Sequence, residues 1–252
     1  SLDKSFSKRT LKMSKDKIFF LHIRKTAGTS LRQFALKCSG AQNPCPYLSQ
    51  LEFRGKVPKD KRSEIINSYD FVAGHYHSIL PRLEGFKTIV MLRDPTERVI
   101  SAFNHIQNDE RDPLHKFASG LTLEECLHKK ELEMEMDNSQ LRYLVGNAGY
   151  NYSELDDEKK LEIGLSFLEN IAFFGICEMF NTSCMLLLKT FNWSKAISPP
   201  RLNTKITSVG LKRERAAHYI NFIEEKNMLD RVLYTRAREI FDKKVGILIN
   251  QV

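Results

Sequence analysis

The stretch Ile18-Phe19-Phe20-Leu21-His22-Ile23-Arg24-Lys25-Thr26-Ala27-Gly28-Thr29-Ser30 constrains this chain more than any other. Residues 18–23 form a near-continuous apolar run, which suits a strand buried on both faces. The run stops in a small-residue turn and restarts as a helix, expected from residue 29 to about 38. Backbone N–H groups at a helix start have no intrahelical partner, and the helix dipole favours negative charge there. Such a turn is an anion site. Lys25 adds a full positive charge, and Thr26, Thr29 and Ser30 add hydroxyl donors. Gly28 lets a phosphate approach the backbone closely. A second anion signal lies in Thr88-Ile89-Val90-Met91-Leu92-Arg93-Asp94-Pro95-Thr96-Glu97-Arg98-Val99-Ile100-Ser101. Together they imply a ligand with phosphate groups at two separated points.

The 252 residues fit one α/β domain, expected over 16–252 behind a flexible basic arm at 1–15. Hydrophobic residues make up 42% of the chain, enough for a core and too many for a disordered protein. The net charge of +8 points to anionic partners, although general solubility also accounts for it. Five cysteines are present without a CxxC pair, which argues against a zinc site. Cys38 and Cys45 flank a Pro-containing loop and are expected to be free thiols, with a local disulfide as the alternative. Three glycosylation sequons, at Asn151, Asn181 and Asn192, decide little, since chance alone gives about one or two at this composition. No run is apolar enough to span a bilayer and no signal peptide is visible. The expected location is therefore cytoplasmic, as for a bacterial-type protein. The Golgi lumen is the alternative if an anchor is missing from the sequence.

Further strands are expected at 70–75, 87–93 and 171–176. Asp94 followed by Pro95 is a helix start, with Asp as N-cap and Pro at the first helical position; that helix should reach about residue 107. Helices are expected at 122–130, 137–145, 157–169, 178–190, 211–224 and 226–244, with long irregular stretches at 40–60 and 108–120. Strands alternating with helices imply a mainly parallel sheet with right-handed crossovers. The expected fold class is α/β, a P-loop-like three-layer fold with a mainly parallel central sheet flanked by helices. Ligands in such sheets bind at the carboxyl ends of the strands. Lys25, His75 and Arg93 each sit at such an end, so three strands deliver two cations and a proton acceptor to one edge.

A Walker-type loop needs its lysine after the last glycine, as in GxxxxGK[ST]. Here Lys25 precedes Gly28, and Asp94 is better explained as a helix cap than as a Mg²⁺ ligand. These features disfavour a Mg²⁺-dependent kinase. The segment Arg24-Lys25-Thr26-Ala27-Gly28-Thr29-Ser30 resembles the 5′-phosphosulfate loop of sulfotransferases. Leu92-Arg93-Asp94-Pro95-Thr96-Glu97-Arg98-Val99-Ile100-Ser101 resembles their 3′-phosphate motif, with Arg and Ser eight residues apart. The similarity is to the carbohydrate type, as in heparan sulfate 2-O- and 6-O-sulfotransferases and short bacterial sulfotransferases. It continues through Asn138-Ser139-Gln140-Leu141-Arg142-Tyr143-Leu144 and Ile171-Ala172-Phe173-Phe174-Gly175-Ile176-Cys177-Glu178, so it covers about 17–245.

The resemblance implies transfer of a sulfuryl group from 3′-phosphoadenosine 5′-phosphosulfate, without a metal, to a carbohydrate or a small hydroxylated acceptor. Such a transfer needs positioning and charge stabilisation more than covalent catalysis. Lys25 is expected to stabilise charge on the bridging oxygen. Residues Arg24, Lys25, Thr26, Ala27, Gly28, Thr29 and Ser30 are expected to hold the 5′ side, and Arg93 and Ser101 the 3′-phosphate. Arg201, Asn203, Thr204 and Lys205 match a loop that covers the nucleotide. His75 is the expected general base, with His77 as rival. His77, His105 and Arg142 are the expected acceptor contacts, although His105 and Arg142 also suit structural roles. His22 reads as core, and Glu131, Glu133 and Glu135 as a solvated acidic face. Nucleic acid is not an expected partner. The rival readings are a P-loop-type small-molecule kinase, which would need Mg²⁺, and a non-catalytic polyanion-binding module, whose affinity would fall steeply with salt and ignore a 3′-phosphate.

Overall fold

The computed structural model describes residues 16–46, 58–77, 83, 85–193, 199 and 217–249. The expected arm at 1–15 lies outside them. Four strands, β1 (Lys17–Leu21), β2 (Phe71–Gly74), β3 (Phe86–Leu92) and β4 (Phe173–Ile176), form one parallel sheet in the order β2-β1-β3-β4. Leu21 pairs in register with Gly74 on one side and Val90 on the other. The chain steps one way from β1 to β2 and the other way from β3 to β4. With right-handed crossovers, this places the topological switch point between β1 and β3, where doubly wound sheets bind ligands.

The strands are legible as apolar runs because both faces are covered. Ile18, Phe20, Leu21, Ile89, Val90, Met91 and Leu92 are fully buried. Truncating Phe20 to Ala in such a setting costs about 3–5 kcal/mol. The helices are α1 (Gly28–Ser39), α2 (Arg62–Asn67), α3 (Pro95–Asn108), α4 (His115–Ala118), α5 (Leu123–His128), α6 (Glu133–Met136), α7 (Ser139–Asn147), α8 (Asp157–Asn170), α9 (Phe180–Thr190), α10 (Ile220–Lys226) and α11 (Met228–Ile249). α3 starts where Asp94 accepts the Glu97 N–H at 3.0 Å and Pro95 occupies the first turn. Around the sheet lies the main core; a second buried cluster joins Val99 and Ile106 of α3 to Leu127 of α5, Met136 of α6 and Ile223 of α10.

Three short helices depart from the expectation. α2, α4 and α6 span only six, four and four residues, too few for a hydrophobic period to register. All five cysteines are free thiols. Among the described residues, no helix is long and apolar enough to cross a membrane.

Candidate active site

The turn between β1 and α1 is held in an unusual backbone form. Lys25 and Ala27 both lie in the left-handed region, at φ 66° and 63°. Neither is glycine, so each carries a steric cost that the surroundings must offset. The Thr26 hydroxyl donates to the Ile23 carbonyl at 2.9 Å, closing the turn from inside. Arg93 donates through Nη1 to the Lys25 carbonyl at 3.1 Å. Helix α1 then begins without a side-chain cap and without an acidic residue in its first turn, which leaves its N-terminus electropositive. Thr29 is exposed there, whereas Ser30 is 6% exposed and Thr26 fully buried.

Gly28 has a steric reason for being glycine, besides the expected close approach of a phosphate. A Cβ at this position would lie 1.9 Å from the His22 ring. The imidazole of His22 packs against the start of α1, stacked on Phe20 and 4.3 Å from the ring of His75. Burial lowers the His22 pKa well below its usual value, so the ring is neutral, in keeping with its expected place in the core.

His75 follows the carboxyl end of β2. Its Nδ1 lies 2.6 Å from the His22 carbonyl oxygen. A carbonyl only accepts, so Nδ1 carries the proton and Nε2 carries the lone pair. Burial pushes the His75 pKa down to about 4, keeping the ring neutral near pH 7. His77 lies beyond β2, where its ring meets that of Tyr143 in a tilted contact at 4.0 Å, and burial takes its pKa to about 4 as well.

Arg93 follows β3. Its Nη2 lies 3.8 Å from Glu97 and its Nε 4.0 Å from Glu178. The main chain here is clamped: Gln140 accepts from the Arg93 N–H and donates to its carbonyl, and Glu178 accepts from the Asp94 N–H, while Arg231 donates to the side chains of Asp94 and Thr96. Ser101 projects from α3 and is half-buried. The ammonium of Lys25 has no ion-pair partner among the described residues. Burial, then the charges of Arg24 and Arg93, lower its pKa.

Other expected site residues go elsewhere. Arg24 turns into a buried charge network: its guanidinium contacts Asp112 and lies 3.5 Å from Glu135. Glu135 in turn receives Arg98 at 3.2 Å, and His105 lies 3.3 Å from Asp112. Glu135 is 3% exposed, which corrects the reading of the acidic run as a solvated face; Glu131 and Glu133 remain exposed. Arg142 is engaged by Glu133 and Asp137 and lies over the Tyr152 ring. Arg201, Asn203, Thr204 and Lys205 lie outside the described residues.

The arrangement therefore brings a lysine, a neutral histidine with a fixed tautomer and an arginine to one edge of a parallel sheet. A family model described as the sulfotransferase family matches residues 9–161. Among similar proteins, mouse heparan-sulfate 6-O-sulfotransferase 3 is 26% identical over 290 aligned positions, covering 91% of this chain and 58% of the mouse protein. Human heparan-sulfate 6-O-sulfotransferase 2 is 27% identical, covering 90% of this chain and 44% of the human protein. The zebrafish (Danio rerio) 3-B protein is 26% identical, covering 90% and 64%. The chain thus spans about half the length of the curated relatives it matches. The expected cytoplasmic, bacterial-type placement does not stand, because these relatives are Golgi enzymes. With the family model covering more than half of its residues, the chain belongs to the sulfotransferase family.

Proposed function

We propose that this protein transfers a sulfuryl group from 3′-phosphoadenosine 5′-phosphosulfate to a hydroxyl on a carbohydrate by in-line displacement. The observation that carries the reading is the meeting of Lys25, His75 and Arg93 at the carboxyl edge of β1, β2 and β3, with Arg93 bonded to the Lys25 carbonyl. The uncapped start of α1 and the ammonium of Lys25 take the 5′-phosphosulfate. Arg93 and Ser101 take the 3′-phosphate. Nε2 of His75 removes the acceptor proton as its oxygen attacks sulfur, and Lys25 stabilises the charge that develops on the departing phosphate oxygen. Arg24 acts through its ion pairs, holding the loop, rather than as a ligand of the nucleotide. The heparan-sulfate names of the relatives favour a uronic-acid-containing glycan as acceptor.

Calorimetry in EDTA with 3′-phosphoadenosine 5′-phosphate against adenosine 5′-phosphate tests this. Strong preference for the bisphosphate supports the reading, and a screen of heparan-type acceptors then follows with His75→Ala as control. Equal affinity for the two nucleotides overturns it and returns the kinase and polyanion-binding readings.

A further inference from the structure

Helix α7 links the two halves of the site. Gln140, Tyr143 and Asn147 stand at i, i+3 and i+7, on one face of that helix. At its start, Gln140 accepts from the Arg93 N–H at 2.9 Å and donates to the Arg93 carbonyl at 2.8 Å. At its end, Asn147 donates to the Tyr76 carbonyl at 2.7 Å, between His75 and His77, and to the Tyr143 carbonyl at 2.8 Å. Between them, the Tyr143 ring packs in a tilted contact against His77. Seven residues at about 1.5 Å each separate the two amides by about 10 Å along the axis.

The helix itself is fastened. Asp230 at the start of α11 accepts from the Gln140 and Leu141 N–H groups at 3.0 and 2.8 Å, and Asn138 and Asn227 bond across the same junction. Gln140 and Tyr143 are fully buried and Asn147 is 4% exposed. Packing alone does not call for primary amides here, since apolar side chains fill such volumes at no hydrogen-bonding cost. These two amides are matched to main-chain groups of the segments that carry Arg93 and His75.

We propose that α7 is a strut that sets the separation between the 3′-phosphate motif and the histidine turn, with Gln140 and Asn147 as positioning residues at its two ends. The proposal rests on the roles given above to Arg93 and His75.

The test uses the whole chain and two readouts that need no acceptor: affinity for 3′-phosphoadenosine 5′-phosphate by calorimetry, and the ¹⁵N imidazole spectra of His75 and His77, assigned with His75→Ala and His77→Ala. Gln140→Ala is expected to weaken the bisphosphate about tenfold while leaving the imidazole signals in place. Gln140→Glu keeps an acceptor for the Arg93 N–H but sets its second oxygen against the Arg93 carbonyl, and is expected to lose at least as much affinity as Gln140→Ala. Asn147→Ala is expected to shift both imidazole signals while affinity stays within about twofold. Where the alanine variants do not fold, Gln140→Glu and Asn147→Ser carry the same contrast. If both readouts move together in each variant, α7 is a general stabiliser and the proposal falls. If the parent protein shows no preference for the 3′-phosphate, the functional reading falls first, a result distinguishable from failure of the strut.

Discussion

Arg93 donates through its Nη1 to the main-chain carbonyl of Lys25, 68 residues earlier in the chain, at 3.1 Å. One guanidinium thus joins the two anion motifs, and it does so at a residue held at φ 66°. Under the proposed function, the two phosphate positions are then not independent. Arg93→Ala is expected to weaken 3′-phosphoadenosine 5′-phosphate by about 10- to 100-fold, the range for a lost charged hydrogen bond. It should also slow transfer from bound donor, because the Lys25 backbone loses its tether. Arg93→Lys keeps the charge but not the fork, and should restore less than half of the lost binding energy. Calorimetry and single-turnover rates check both; a variant weak in binding but unchanged in the bound-state rate would separate the motifs.

The pH dependence follows from the imidazoles. A base works in its neutral form, and burial takes His75 to about 4, so kcat/KM should be flat from about pH 5 to 8 and fall only as pH drops towards 4. Under the proposed function, a bound phosphosulfate would bring negative charge beside the ring and favour its protonated form. The acid limb of kcat should therefore lie at higher pH than that of kcat/KM. His75→Ala should abolish the limb along with most activity, whereas His77→Ala should retain it. The reverse pattern would transfer the base role to His77.

Much of this was readable along the sequence. Strands β1, β3 and β4 are apolar runs, and the Asp94-Pro95 pair marks the start of α3 to the residue. The turn at 24–28 is legible in the sequence, yet its internal reasons are not. Left-handed geometry falls on Lys25 and Ala27, while Gly28 answers to the His22 ring, a contact across the strand-to-helix turn rather than a backbone requirement. Glu135 sits in an acidic run that looks solvated, and only the fold brings Arg24 and Arg98 to it. The roles of Gln140 and Asn147 are not legible in the sequence, because a polar residue in an amphipathic helix ordinarily marks the wet face. Nothing local distinguishes an amide aimed at a distant main chain.

The charge network around Arg24 makes an acid-stability prediction. Burial opposes ionisation of the Asp112 carboxyl, but His105, the Leu114 N–H and Arg24 together outweigh it and hold the group well below the usual carboxylate range. A carboxyl depressed in the folded state stabilises it above the unfolded pKa of about 4, and that contribution is lost as pH falls below it. Tm should therefore drop between about pH 4 and 2, and Asp112→Asn should flatten that decline. At neutral pH, Asp112→Ala should cost about 3 kcal/mol or more, because it leaves Arg24 short of one of its two carboxylates. Urea titrations at pH 7 and pH 3 measure both; equal losses at the two values would show that the Asp112 charge is not what stabilises the loop.

The packing of His22 on Gly28 supplies a test of how the turn is built. A methyl group at residue 28 would overlap Cδ2 and Nε2 of a ring that is itself 7% exposed, so Gly28→Ala must displace the ring or the helix start. The expected cost is about 1–3 kcal/mol, with a matching loss of nucleotide affinity as the first turn of α1 shifts. Removing the obstacle should reverse this: in a His22→Ala background, the same glycine change should cost well under half as much. Activity should not return with stability. The His22 ring packs 4.3 Å from that of His75, and without it the base keeps its bond to the His22 carbonyl but loses its neighbour. The double variant is thus expected to fold and bind nucleotide while transferring slowly. Strictly additive stability losses would mean that the cost at residue 28 does not come from the His22 ring.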